Sequence, residues 1–206
     1  ASSVTLRGGT VSAALTGPGG LTKTTATTAT LAGANSYTGA THVAGGTLDL
    51  TGSLASSEVS VASGAALAGT GTMSGNLSLA SGAGLVLRGS GHLTVGGDLA
   101  ASGTVMVVAA ADPLPAGTYT LLAYGGTLSG SPTFVYSSPS GQTAAVDASR
   151  PGEVTVTVGG AAEALFPAVA SQPGLNGTEW RTELVLSNPT SEAQSVTLEI
   201  LARGSS

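Results

Sequence analysis

Two stretches of this chain repeat each other 18 residues apart: Val59-Ser60-Val61-Ala62-Ser63-Gly64-Ala65 and Leu77-Ser78-Leu79-Ala80-Ser81-Gly82-Ala83. In each, apolar residues alternate with serine and then meet an Ala-Ser-Gly-Ala turn, and Leu67 and Leu85 follow at the same offset. Strict alternation is the mark of a strand with one face buried. A unit this short cannot bury that face alone and must stack on its neighbours. The repeat therefore predicts a coiled ribbon of short strands.

Composition agrees with stacked backbone layers. Aromatic residues are 3% and charged residues 8% of the chain, while glycine fills 32 of 206 positions. Mean hydropathy is +0.34 and net charge only −5, which separates the chain from disordered sequences. The core has to be built from Val, Leu, Ala and Thr, side chains small enough for rungs about 4.8 Å apart. Cysteine is absent, so disulfides and thiolate chemistry are excluded. Six Lys and Arg residues and a pI near 4.7 argue against nucleic acid. The chain has no apolar run long enough to predict a membrane span.

Alternation is plain at Val4–Leu6, Thr47–Leu50, Leu77–Leu79, Leu85–Leu87, Val105–Val108, Tyr119–Leu122 and Val154–Val158, with Gly-Gly or Ser-Gly pairs between. Nothing shows a helical period. The fold class expected is all-β: a right-handed parallel β-helix, or solenoid, over residues 1–160 with a short C-terminal β-sandwich-like segment. At roughly 18–22 residues per turn it would make about seven rungs and a rod about 35 Å long. The pattern changes at Ala111-Asp112-Pro113-Leu114-Pro115, where two prolines fix φ and remove donors. Beyond it the strands lengthen and gain Tyr119, Tyr124, Phe134 and Tyr136, so 112–160 reads as wider rungs closing the solenoid. Residues 161–164 read as a linker, and 165–206 as an incomplete immunoglobulin-like β segment anchored by Trp180.

Leu21-Thr22-Lys23-Thr24, followed by Ala29-Thr30-Leu31-Ala32-Gly33-Ala34-Asn35-Ser36-Tyr37-Thr38-Gly39-Ala40-Thr41-His42-Val43-Ala44-Gly45-Gly46-Thr47-Leu48, resembles the autotransporter-associated β-strand repeat, departing from it at Thr25, where that pattern has glycine. Ala116–Gly130 is similar to the region that closes such passengers. Residues 165–203 resemble the first half of an immunoglobulin-like module of bacterial secreted proteins. The resemblance implies a parallel β-helix exported to a bacterial surface. In the repeat's Asn35-x-Tyr37-Thr38-Gly39 segment, Asn35 at a bend can bond the next rung's backbone, Tyr37 covers the corner, and Gly39 is expected at positive φ.

No constellation points to catalysis. His42 and His92 stand 50 positions apart, neither with a second ligand at metal spacing. Asp49, Glu58, Asp98 and Asp112 are scattered, whereas glycan cleavage needs a converging carboxylate pair. Gly96-Gly97-Asp98 is an unrepeated fragment of a calcium-binding nonapeptide. No catalytic, cofactor or metal site is expected. The function expected is a non-catalytic extracellular structural protein, a filament or adhesin subunit that is secreted or held at the bacterial cell surface. It would associate with its own copies through open solenoid ends and C-terminal strands, with Val4, Leu6, Trp180, Leu184, Leu186, Val196, Leu198 and Ile200 as assembly residues. Cell-surface glycans are a second class of partner. The alternatives are a stalk of a larger adhesin and a carbohydrate-binding or carbohydrate-cleaving β-helix.

Overall fold

The computed structural model describes residues 3–56, 58–89, 91–159, 172–173 and 179–180. The chain divides into two compact units, 1–160 and 161–206. Among the described residues there is no helix.

The first unit is a parallel β-solenoid. The first turn carries β1 (Val4–Leu6) and β2 (Gly9–Val11). Five complete turns follow, each with three strands: β3 (Leu21–Lys23), β4 (Thr28–Leu31) and β5 (Ala34–Asn35); then β6 (Thr41–Val43), β7 (Thr47–Leu50) and β8 (Ser53–Leu54). The next holds β9 (Glu58–Val61), β10 (Ala66–Gly69) and β11 (Thr72–Met73), and the fourth β12 (Asn76–Leu79), β13 (Gly84–Leu87) and β14 (Leu93–Val95). The fifth is β15 (Leu99–Ala101), β16 (Thr104–Ala109) and β17 (Gly117–Tyr124). A last partial turn brings β18 (Leu128–Ser129) and β19 (Thr133–Ser137), after which β20 (Ala144–Asp147) and β21 (Glu153–Val158) end the unit. In the second unit, β22 (Gln172–Pro173) pairs antiparallel with β23 (Glu179–Trp180).

Equivalent strands stack into three seven-stranded sheets. Sheet A runs from β1 to β18, sheet B from β2 to β19, and sheet C from β5 through β17 to β21 and β20. Six spacings make a stack about 29 Å high, close to the expected rod. Turn length is less uniform than the sequence suggests. Val59 pairs with Leu77, 18 residues on, but Leu77 pairs with Leu99 and Leu99 with Leu128, 22 and 29 residues on. Some of the extra residues enter at the corners after β13 and β16, and others lengthen the start of β17 over Gly117–Leu121.

Period two fixes what points inward. Leu21, Thr41, Val59, Leu77 and Leu99 form one interior column of sheet A, and Leu48, Leu67, Leu85 and Val107 one of sheet B. All are buried. The Ala-Ser-Gly-Ala repeats turn the corner between sheets A and B: Ala65 N donates to Ala62 O (3.1 Å) and Ala83 N to Ala80 O (2.9 Å). Gly64 and Gly82 adopt φ of 74° and 83° there, a conformation that costs any residue with a Cβ.

The closing region differs from further rungs. β17 still pairs parallel with β14, but β21 pairs antiparallel with β17, and β20 antiparallel with β21. Arg150-Pro151-Gly152-Glu153 reverses the chain: Pro151 presets φ, Gly152 takes φ of 88°, and Glu153 N reaches Arg150 O at 3.5 Å. Val154, Val156 and Val158 bury themselves against β17, whereas Ala144, Val146 and Ala148 of the outer strand and its exit are only half-buried.

Candidate functional site

The polar side chains of the solenoid fall into three groups: an interior set near the N-terminal end, ladders along the corners, and a knot at the closing end.

The interior set occupies positions that alternation reserves for apolar residues. Lys23 stands in the column Leu6, Lys23, Val43, Val61. Its side chain is 0% exposed. Among the described residues no carboxylate pairs with it. Instead the ammonium donates to Thr25 O, to Gly45 O at 3.1 Å and to Thr25 Oγ1 at 3.2 Å. Burial pulls the Lys23 pKa below its ordinary value. Thr25 and Thr27 in turn donate their hydroxyls to Arg7 O, so one knot links three successive turns. Thr25, the departure from the repeat pattern, thus has its own structural task.

Asn35 stands in the column Asn35, Leu54, Met73, Val95, Tyr124. It is 2% exposed. Its Oδ1 accepts from Leu15 N (3.0 Å) in the turn below, and its Nδ2 donates to Gly33 O (2.8 Å) and to Ser53 O (3.1 Å) in the turn above. Asn35 thus bonds in both directions where one was expected. Tyr37 is buried at the corner, its hydroxyl 2.7 Å from Thr41 Oγ1, and Thr41 donates to Ser56 Oγ at 3.3 Å. Burial raises the Tyr37 pKa, and the Thr41 bond offsets part of that rise.

Gly39 corrects an expectation. It is not among the residues with positive φ. Its requirement is close approach, because a Cβ there would lie 2.5 Å from Gly19 C, Gly19 O and Gly20 N of the turn below. The corner admits backbone against backbone only.

Along one corner, Asp98 N donates to Asn76 Oδ1 (2.9 Å), and Asp98 Oδ1 accepts from Thr127 N (2.7 Å) and Thr127 Oγ1 (3.1 Å). The two Thr127 bonds, the backbone one first, hold the Asp98 pKa below the usual carboxylate range. On the outer face of sheet A, exposed His42 places Nδ1 2.7 Å from Ser60 Oγ. On sheet B, Asp49 Oδ2 pairs with Arg88 Nη2 at 2.8 Å across the intervening β10. Asp49 and Asp98 therefore serve different sheets; Glu58 stands on sheet A two rungs from Asp98, with Asn76 between them, and Asp112 lies at the closing end. Among the described residues no three His, Cys, Asp or Glu side chains are grouped to hold a metal ion. No helix there is long and apolar enough to cross a membrane.

At the closing end, Asp112 accepts from Ser138 Oγ (2.5 Å), Ser140 Oγ (2.6 Å) and Ser140 N (2.6 Å). The hydroxyl bonds, Ser138 first, depress the Asp112 pKa. Gln142 completes the knot by accepting from Leu114 N (2.9 Å) and donating to Leu114 O (2.7 Å), as a paired strand would.

Of the assembly residues read from sequence, Val4 is 40% exposed on edge strand β1, and Leu6 is turned inward and buried. The backbone of Trp180 lies in β23. Leu184, Leu186, Val196, Leu198 and Ile200 lie outside the described residues. A cavity of about 300 Å³ opens beside Val4, lined also by Leu15, Pro18, Leu21 and Tyr37. A shallower one of about 220 Å³ lies on sheet A over Ser78, Ala100 and Ser129. Alternation did not expose Lys23 as a core residue to a reader who takes lysine as solvated, although its parity with Leu21 carried the signal.

No protein-family model matches the chain, and no curated protein matches it. Neither comparison supports the autotransporter-associated repeat or the immunoglobulin-like module, so the solenoid rests on its own geometry.

Proposed function

We propose that this chain is a non-catalytic structural rod, a fibre or adhesin subunit of the bacterial exterior, and that it associates with its own copies through the ends of its sheets. The observation that carries this reading is how its polar groups are spent. Lys23, Asn35, Thr41, Asn76 and Asp98 each bond groups on other turns, which stiffens a rod. What the described residues leave for partners is backbone: edge strands that no further described strand continues, with Val4 beside β1 and Val135, 40% exposed, on β19. Kinship with the autotransporter-associated repeat belongs to the same proposal and rests on residues 21–48.

Sedimentation velocity across a range of concentrations, with electron microscopy of the same samples, tests it. The reading expects concentration-dependent growth into linear species. A single monomeric species up to millimolar concentration would count against it. A sugar-cleaving or sugar-binding role has only the hydroxyl-lined face over Ser78 and Ser129 in its favour. Polysaccharide cleavage that is lost in Asp49→Ala or Asp98→Ala would establish that role instead.

A further inference from the structure

The two ends of the solenoid do not match, and the mismatch lies in one sheet. Sheets A and B both begin in the first turn and end in the partial turn that holds β18 and β19. Sheet C begins one turn later, at β5, and ends with β21 and then β20. β21 completes the level of β18 and β19, so β20 stands one strand beyond them. Among the described residues no such step exists on the β1 side. Beside β1 and β2, residues 12–17 run under β5, with Leu15 O accepting from Ser36 N (2.9 Å) and Gly17 O from Thr38 N (3.0 Å). One end is level on three sides, and the other carries a one-strand step.

A level end cannot seat on a stepped one. Were a second copy to place its β1 and β2 on β18 and β19, its residues 12–17 would fall where β20 already is. The step itself is the least embedded strand of its sheet. Its neighbour β21 buries Val154, Val156 and Val158 almost completely, whereas Ala144 and Val146 of β20 remain half-buried. What holds the approach to β20 is the knot of Asp112 with Ser138 and Ser140, and of Gln142 with Leu114.

We infer that β20 is a removable cap, and that the surface it guards, the level formed by β18, β19 and β21, is a docking site for the β1–β2 end of a second copy of this chain. This rests on the reading of the protein as a self-associating rod and states which strand controls it. Charge favours the pairing. No acidic residue precedes Asp49, and exposed Arg7 lies at the level end. Among the described residues the closing end carries Asp98, Asp112, Asp147 and Glu153 against one cation, Arg150. Two closing ends would repel, and two level ends would gain no such attraction. Pro132 and Pro139 bracket β19 and confine pairing to Thr133–Ser137.

The absence of cysteine gives a clean test. Ala145 and Thr157 are register partners on β20 and β21. Antiparallel partners lie about 4.5–5.5 Å apart at Cα, within disulfide range. The full chain is compared in three forms by sedimentation velocity: the parent, the double variant Asp112→Ala with Gln142→Ala, and Ala145→Cys with Thr157→Cys in oxidised and reduced states. Circular dichroism verifies that each is folded. The cap predicts that the double variant associates at a concentration about tenfold lower than the parent, the shift for losing about one or two net hydrogen bonds. The oxidised form stays monomeric and recovers association on reduction, and Arg7→Glu weakens association. An oxidised form that associates as readily as the parent overturns the cap while leaving the self-associating rod intact. A folded double variant that stays monomeric alongside a monomeric parent overturns both.

Discussion

Replacing Asn35 should separate two ways in which a buried polar residue can hold a solenoid together. Asn35 occupies a column otherwise filled by Leu54, Met73, Val95 and Tyr124. Leucine would therefore fit the column's chemistry and roughly its volume. What leucine cannot do is serve Leu15 N, Gly33 O and Ser53 O, the three backbone groups that the amide satisfies. An unsatisfied buried backbone group costs about 1–3 kcal/mol. Two of these three bonds are only partly buried, so the lower figure applies and the loss is about 3 kcal/mol. With a urea slope of about 2 kcal/mol per molar, the midpoint should fall by about 1.5 M. Asn35→Ala adds a cavity and should fall further, by about 1 kcal/mol. Turn-by-turn stability in stacked proteins makes local readout essential. Amide exchange at Leu15 should accelerate more than exchange at Leu79, four turns away. If Asn35→Leu unfolds within about 0.5 kcal/mol of the parent, the inter-turn bonds contribute nothing net and the reasoning fails.

Three further predictions concern neighbouring groups. Lys23 has its folded pKa lowered by burial from an unfolded value of 10.5, so the unfolded chain binds the proton more tightly. The penalty is present in full below the lowered value and is relieved as pH rises through it toward 10.5, so stability relative to Lys23→Met should climb with pH in that window; a flat difference in urea midpoints would refute it. Gly39→Ala, which drives a Cβ into the backbone of Gly19, should cost about 3 kcal/mol, against about 1 kcal/mol for Gly64→Ala, where φ is positive but the space is open. Equal thermal shifts for the two variants would contradict the close-approach argument. Asp98, whose pKa is lowered by the Thr127 bonds, stabilises the fold above its ordinary 3.8 and loses that contribution as pH falls through the depressed value. Asp98→Asn should therefore show a shallower acid transition than the parent, and an unchanged transition would mean that the bond is not formed in solution.

How far the fold could be read from residues depended on which signal each segment carried. Period-two alternation at Leu77–Leu79, Val105–Val108 and Val154–Val158 marked strands that the structure contains, because burial on one face leaves its imprint on every second residue. The corners left no such imprint. Arg88, just past the end of β13, meets Asp49 on β7 two strands away, and nothing periodic encodes that contact. Gly39 was assigned to the wrong cause because glycine serves both positive φ and close approach, and only the position of Gly19 distinguishes them. The closing region was legible as a change of pattern at Asp112 but not as a reversal of direction. That reversal needed Pro151-Gly152 to be weighed as a turn between two strands of one sheet. Lys23 was hidden by its type, although its place two residues after Leu21 assigned it inward.

The account stands or falls on whether copies meet end to end, in register. On sheet B the outward column runs Thr10, Thr30, Asp49, Ala68, then Val86, Val108 and Ser137. A second copy that continues the sheet places its Thr10 next to Ser137 of the first. Two single-cysteine chains, Thr10→Cys and Ser137→Cys, mixed in the Asp112→Ala, Gln142→Ala background under mild oxidation, report this directly. The account predicts a disulfide joining the two different chains well above the yield of either chain with itself. Cross-linking that is no better between them than within each, or that is matched by a cysteine pair placed at His42 on the outer face of sheet A, would contradict it.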